Sequence, residues 1–176
     1  MTLEEIVQES EKAFFLFAKT CATIEEHSFF TKAAGKWSVA ENMQHLVTST
    51  TTSTLAFKLP LFIVRIVGGT PNRSSRSYDE LLLKYNKKIT EGGKASGRYI
   101  PKGLNIKKGK QGLMRKWAKA CTAYIRFLKR NRSEKDLDNY LVGHRLLGKI
   151  TLRELCYFTI FHTLHHCNII KLRAHE

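Results

Sequence analysis

The stretch TLRELCYFTIFHTLHHCNIIKLR, Thr151 to Arg173, decides the fold. Its start carries helix punctuation. The Thr151 hydroxyl can cap the first turn, and Glu154 can reach back to the cap residue's N–H, the reciprocal pairing of a capping box. The chain then stays apolar for about four turns, the mark of a helix with little water around it. Into this run are set His162, His165 and His166. Side chains four apart share a helical face, with Cβ atoms roughly 5–6 Å apart. His162 and His166 therefore aim two imidazoles at one point. They fall on the line Leu155, Thr159, His162, His166, Ile169, Arg173, which predicts the inward stripe. Two neutral imidazoles on adjacent turns form a chelate, yet two ligands rarely hold a metal alone. The plainer reading is a pair of core histidines, each hydrogen-bonded to a neighbour. A metal reading needs a third ligand from elsewhere in the chain.

The chain has 176 residues, enough for one domain over 1–176 with a real core and too few for two comfortable ones. At 43% hydrophobic and 10% aromatic residues the composition is that of an ordinary globular protein. The start, MTLEEIVQES, is acidic and amphipathic, unlike a secretory signal or a transit peptide. The apolar run Leu59 to Val67 is broken by Arg65 and too short to span a bilayer. No membrane association and cytoplasmic residence are the expectations. Cys21, Cys121, Cys156 and Cys167 contain no CxxC pair. Cys156 and Cys167 stand about 16 Å apart on one helix, too far for a disulfide. Cys167 points roughly 100° away from His166 and is a poor co-ligand. Free, buried thiols are expected.

The net charge of +15 is concentrated. Residues 84–132 hold 16 Lys/Arg against the single acidic residue Glu91, a surplus equal to that of the whole chain. The rest is balanced.

From the N-terminus, Leu3 to roughly Glu26 reads as a first helix and His27 to Gly35 as a connection, with His27 at the surface. In GKWSVAENMQHL, residues 35–46, Ser38 and Glu41 form a second capping box. Val39, Met43, Leu46 and Val47 make its apolar stripe, and His45 lies on the flank, about 100° from Leu46. A single helical histidine is more often structural than a ligand. The run Thr48 to Thr54, TSTTTST, is poor helix material unless packing compensates. Pro60 ends or kinks this second helix. From Leu61 to about Lys110 regularity falls: Gly68 to Asn72 is a turn cluster, and Tyr78 to Ile89 a short helix started by Ser77 or Asp79. A link of this length is uncommon unless it carries function or covers something. Leu113 to Leu128 returns to helical spacing, with Trp117, Cys121, Tyr124 and Ile125 inward. Asn131 to Asn139 is a polar break, and Tyr140 to Lys149 leads into the last helix and carries His144. His144 is a loop residue with a structural hydrogen bond, or lines the mouth of a site. The reading is all-α: a four-helix bundle with a long, partly helical connection between the second and third helices.

Three pieces, GKWSVAENMQHL, YDELLLKYNKKITEGGKASGRYIP and HRLLGKITLRELCYFTIFHTLHHCNII, resemble in content and order the DinB-like superfamily of metal-binding four-helix bundles. The likeness runs over nearly the whole chain. The first and last pieces are the specific ones, and the middle piece resembles a subset of the family. The resemblance implies a divalent ion held by three histidines, one from the second helix and two from an HxxxH on the last. By position these are His45, His162 and His166. It further implies a metal-dependent enzyme with a small-molecule substrate. The chemistry it suggests is transfer or isomerisation with a low-molecular-weight thiol, or a related hydrolysis. Zinc or nickel suits imidazole ligands. An open-sided ion lowers a thiol's pKa and presents a nucleophile. Two departures stand out. Members often carry an acidic residue where this chain has Thr163, which leaves orientation of the ligands to something else. His165 is extra, and competes with His166 because i,i+3 faces His162 almost as well.

Other readings use the basic segment or dispense with a reaction. Arg115, Lys116, Lys119, Arg126, Lys129 and Arg130 fall on the outer face of the third helix, as a solvated face or as part of a nucleic-acid or anion-binding module. Few aromatics accompany them, which favours the solvated face, with binding of an anionic small substrate as the next choice. A bundle that keeps the histidines without a reaction is a further alternative. A homodimer could use the Tyr157, Phe161 and Leu164 side of the last helix or the Leu61 to Val67 run. Titration with duplex and single-stranded DNA is expected to show no tight, salt-sensitive binding; such binding would overturn the preference. A monomer mass over a wide concentration range would dismiss the dimer.

Overall fold

The computed structural model of the chain describes residues 1–32, 35–104 and 106–173, with no side-chain placement for Ile106 or Arg173. In chain order come α1 (Leu3–Ala22), α2 (Glu26–Phe30), α3 (Val39–Lys58), α4 (Leu61–Gly68), α5 (Tyr78–Thr90), α6 (Gly109–Asn131) and α7 (Glu134–Asn139). The strands β1 (Leu141–His144) and β2 (Gly148–Thr151) precede α8 (Leu152–Arg173). The four long helices close a ring, with α1 packed on α6 and α8 and α3 packed on the same two. Between α3 and α6 the connection carries α4, α5 and single 3₁₀ turns at Gly97–Tyr99 and Ile106–Lys108. The all-α bundle with its long connection is therefore the fold.

Local chemistry sets the helix starts. Ser38 and Glu41 bond each other's backbone N–H, as do Ser77 and Glu80, and Thr151 and Glu154. The first helix stops at Ala22, short of the expected Glu26. The Thr23 hydroxyl donates to the Thr20 carbonyl, and the chain then turns out to start α2, which buries Phe29 completely. At the centre, Phe14 and Phe17 of α1 meet Trp117 of α6 edge-on at 5.4 and 5.1 Å, and Phe57 of α3 meets Tyr124 at 5.3 Å.

The threonine-rich run is helical to its end. Thr48, Thr52 and Thr54 donate to the carbonyls of Gln44, Thr48 and Thr50, so their hydroxyls are satisfied within the helix. Ser49 and Ser53, buried, face α8 instead. Cys121 and Ile125, expected inward on α6, are only half-buried, while Leu113, Trp117, Tyr124 and Leu128 are in the core. Ile169 on α8 is likewise half-buried.

The segment leading into α8 is an antiparallel hairpin, a feature the sequence reading did not contain. Leu141 pairs with Thr151 and Val142 with Ile150, and Gly148 takes the left-handed turn at φ 76°. The end of α4 lies hard against β1. A Cβ on Gly68 would overlap the Leu141 carbonyl oxygen, so glycine is required by proximity.

The connection wraps α8. Tyr78 packs edge-on against Tyr157 and Phe161, and Tyr85 packs edge-on against Phe158 and tilted against Phe161. Tyr157 and Phe161, read from sequence as surplus apolar surface, are each 3% exposed because α5 covers them. The α4 run stays open, with Phe62, Ile66 and Val67 at 64, 78 and 76%. Among the described residues no single helix is long and apolar enough to cross a membrane; α3 and α4 pass that test only as a pair bent by 113°.

An ion-pair network clamps the connection to the start of α8. Glu154, fully buried, accepts from Arg73 through two parallel bonds of 2.7 and 2.8 Å and from the Arg76 N–H at 2.8 Å. Burial alone would push its carboxyl up. The bonds from Arg73, Arg76 and Thr151, with the charge of Arg73, outweigh burial and hold it below the usual range.

Removing the Glu154 carboxylate leaves two half-buried guanidinium groups without their counter-charge. Glu154→Ala is expected to cost about 1–3 kcal/mol in urea unfolding at neutral pH. With a folded pKa below the unfolded one, the carboxylate's contribution is full above the unfolded value and vanishes as pH falls through the folded value. Glu154→Gln should therefore flatten the acid limb of the stability profile. Gly68→Ala should cost roughly 1–3 kcal/mol through backbone overlap.

Candidate metal centre

Positions 42, 45 and 49 lie on one face of α3, spaced three and four apart, and positions 162 and 166 on one face of α8. Because α3 and α8 are neighbours in the ring, the two faces meet. His45 Nε2 stands 3.1 Å from His162 Nε2, and His166 Nε2 stands 3.2 Å from the same atom. One ligand atom from each of the three lies within 4.8 Å of the others, and all three residues are buried. The structure thus brings together the three histidines that the sequence singled out. Bonds near 2.0–2.1 Å to a tetrahedral ion separate ligand nitrogens by about 3.3 Å, close to the 3.1 and 3.2 Å of the two pairs that His162 makes. The three-atom set as a whole lies within 4.8 Å and would draw in slightly on ligating an ion.

The outer nitrogens are each occupied. His45 Nδ1 donates to the Tyr99 carbonyl at 2.7 Å, since a carbonyl can only accept. His166 Nδ1 donates to Asn42 Oδ1 at 2.7 Å. The Asn42 amide is fixed, because its Nδ2 donates to the Ser38 and Trp37 carbonyls at 2.8 and 3.3 Å. His162 Nδ1 faces the Ser49 hydroxyl at 3.4 Å. Protons on the Nδ1 atoms of His45 and His166 leave both Nε2 lone pairs aimed inward, beside a third imidazole nitrogen. A proton on His162 Nε2 can serve one of these lone pairs, and a cation among the three nitrogens would serve them all. The donor set fits a divalent ion.

Apolar walls keep water away. Phe158 stacks on His162 at 4.6 Å and 22°, and Trp37 lies parallel to His166 at 6.5 Å and 7°. Burial, then the charges of the neighbouring histidines, lowers His162 and His166 well below the ordinary imidazole range. Burial also lowers His45, against the opposing Tyr99 hydrogen bond. All three are neutral near pH 7, the form that binds metal.

The remaining histidines separate cleanly. His165, half-buried, lies beside Tyr85 at 6.1 Å and lines the adjoining cavity, outside the ligand cluster. His144, at the end of β1, accepts from the Leu146 and Leu147 N–H groups at 3.3 and 3.2 Å and packs on Phe158 at 4.2 Å. It combines both roles considered for it, a turn-holding hydrogen bond and a place on the cavity wall. His27 is exposed. Thr163 is fully buried and donates to the Thr159 carbonyl, so it does not orient the ligands. Asn42, Ser49 and the Tyr99 carbonyl do that. Sequence reasoning missed all three, although Asn42 and Ser49 could have been found by asking which polar residues share the His45 face. The cysteines are free, as expected.

The cavity beside the cluster has a volume of about 500 Å³. Leu55 and Ala56 of α3 and Leu59 just past its end form one wall, and Tyr85, Ile89 and Phe158 another. Its rim is built by residues 93–99 and by the turn of the hairpin.

The depressed histidines have a consequence for stability. Below about pH 6.5 the unfolded chain takes up protons on these imidazoles that the folded chain refuses. Stability of the chelator-treated protein is therefore full above that value and falls as pH drops toward the folded pKa values. Replacing His162 and His166 together by Gln should reduce this slope in urea titrations across the range. His144, pushed down to about 4 by burial, should titrate there by NMR rather than near neutrality.

No curated protein and no solved structure matches the chain. The sequence model of the DinB superfamily matches residues 12–170, a span that takes in both histidine-bearing helices and the connection between them. With that match over most of its length, the chain belongs to the DinB superfamily.

Proposed function

We propose that the chain is a metal-dependent enzyme acting on a small molecule, with one divalent ion, zinc or nickel, held by the Nε2 atoms of His45, His162 and His166. The convergence of those atoms at 3.1 and 3.2 Å, beside a cavity of about 500 Å³, carries the reading. Three nitrogen ligands leave coordination positions open, as catalytic sites do and structural sites do not. An ion held there supplies Lewis acidity, lowering the pKa of a water or thiol ligand toward neutrality. Thiol-dependent transfer is the reaction proposed, in line with the resemblance.

The chain's own groups have distinct tasks. Asn42, Ser49 and the Tyr99 carbonyl hold the imidazoles in one tautomer and one orientation. Phe158 and Trp37 exclude water from the ligand nitrogens. His165 supplies an imidazole on the cavity wall; burial lowers its pKa, so it is neutral near pH 7 and able to accept a proton at a ring nitrogen.

Elemental analysis of protein loaded with zinc and desalted should find about one ion per chain, lost in His162→Ala. Asn42→Ala should weaken affinity by roughly 10–100-fold while the fold persists. Displacement of chloride from chlorodinitrobenzene by a panel of low-molecular-weight thiols should be abolished by chelator and by His162→Ala. A wild-type protein that retains no ion would overturn the proposal. Retention without turnover on any substrate class would leave a metal-holding bundle without a reaction.

A further inference from the structure

Several cations near the connection have partners. Arg73 and Arg76 serve Glu154, and Arg153 is held by Asp138 and Glu134 at 2.8 Å each. Lys84 donates to the Leu147 carbonyl. The cavity mouth is different. Lys94, Arg98 and Arg145 line it, and among the described residues no Asp or Glu lines the cavity. None of the three is in an ion pair among the described residues. Their positions are built rather than scattered. Arg145 sits on the hairpin turn, and its Nη1 is 3.8 Å from the place a Cβ on Gly97 would occupy. Its guanidinium thus rests on the Gly97–Tyr99 turn, next in sequence to Arg98. Arg98 and Arg145 line the same cavity, so an anion bound in it is drawn to both charges. Across the cavity the wall of Leu55, Ala56 and Leu59 is apolar.

We propose that the cavity selects an anion with an apolar body. A carboxylate, sulfonate or phosphate group is received by Arg98 and Arg145 with Lys94 beside them, and the apolar part lies along Leu55, Ala56 and Leu59. The 500 Å³ volume suits a molecule of small-ligand size. The anion subsite is mechanically joined to the ligand cluster. Arg98 precedes Tyr99, whose carbonyl orients His45. Calling this molecule a substrate rests on the metal-dependent reading above; the selectivity for an anion does not.

Paired dyes test it. Anilinonaphthalenesulfonate carries an aromatic body and a sulfonate, and phenylnaphthylamine has the same body without the charge. Fluorescence titrations would use wild type, Arg98→Gln/Arg145→Gln, and Lys116→Gln/Lys119→Gln on the exposed face of α6, each with and without zinc. Wild type should bind about one sulfonate dye per chain at saturation. The mouth variant should weaken that dye by roughly tenfold, with the neutral dye changed less than about twofold. The α6 variant should match wild type. Leu55→Ser should weaken both dyes. Unfolding curves confirm that the exposed mouth substitutions leave the fold intact. Equal loss of both dyes in the mouth variant, an equal effect of the α6 variant, or no saturable binding would each overturn the proposal. The same pattern in protein that holds no zinc would sustain the anion subsite while the metal-dependent reading failed alone.

Discussion

A helix sheathed on every side must give each polar group along it a partner, because an unpaired buried group costs about 1–3 kcal/mol and a charge more. α8 is that helix over most of its length, from Leu152 to Cys167. Thr151 just before it, and Glu154, Thr159, His162, Thr163 and His166 along it, are all buried. Each is answered. Two threonines turn to their own backbone, Glu154 receives Arg73 and Arg76, and the histidines receive Ser49 and Asn42 from α3. The positions of α3 and of the connection follow from these demands as much as from apolar packing. The same partnerships that make α8 tolerable as a buried helix leave the inner nitrogens of the histidines facing one another.

The connection does three things that a short loop could not. α5 covers the aromatic side of α8 with Tyr78 and Tyr85. The Arg73 to Ser77 segment locks onto the start of α8. The Gly97–Tyr99 turn contributes a carbonyl to His45 and a cation to the cavity rim. Its length in a compact domain is thereby explained: it is sheath, clamp and part of the site.

Local signals made the helix starts legible. Ser38 with Glu41 and Thr151 with Glu154 were readable because both partners lie three residues apart, and the HxxxH spacing fixed two imidazoles on one face for the same reason. His45 was visible only on the flank of a stripe, and its membership in the cluster came from resemblance, since which helices become neighbours is not a local property. The hairpin escaped notice because its strands are four residues each and its turn leans on His144 and Gly148. Tyr157 and Phe161 were misjudged as open because the packing of α5 depends on contacts 79 and 83 positions apart in sequence. Asn42 and Ser49 were overlooked for a different reason: Asn42 was not singled out and Ser49 fell inside a run read as poor helix material, although both share the His45 face.

The bond from His45 to the Tyr99 carbonyl joins positions 54 apart. Its proton stays on Nδ1 only while the turn holds its place, and the turn holds its place partly because the imidazole is there. Binding of the proposed ion would therefore share one free energy with ordering of the turn, and linkage requires the exchange to run equally in both directions. Anything that steadies the Gly97–Tyr99 turn would tighten the hold on such an ion by the same factor by which the ion would steady the turn. Affinity for metal would then be a property of a surface segment, open to tuning by substitutions that touch no ligand.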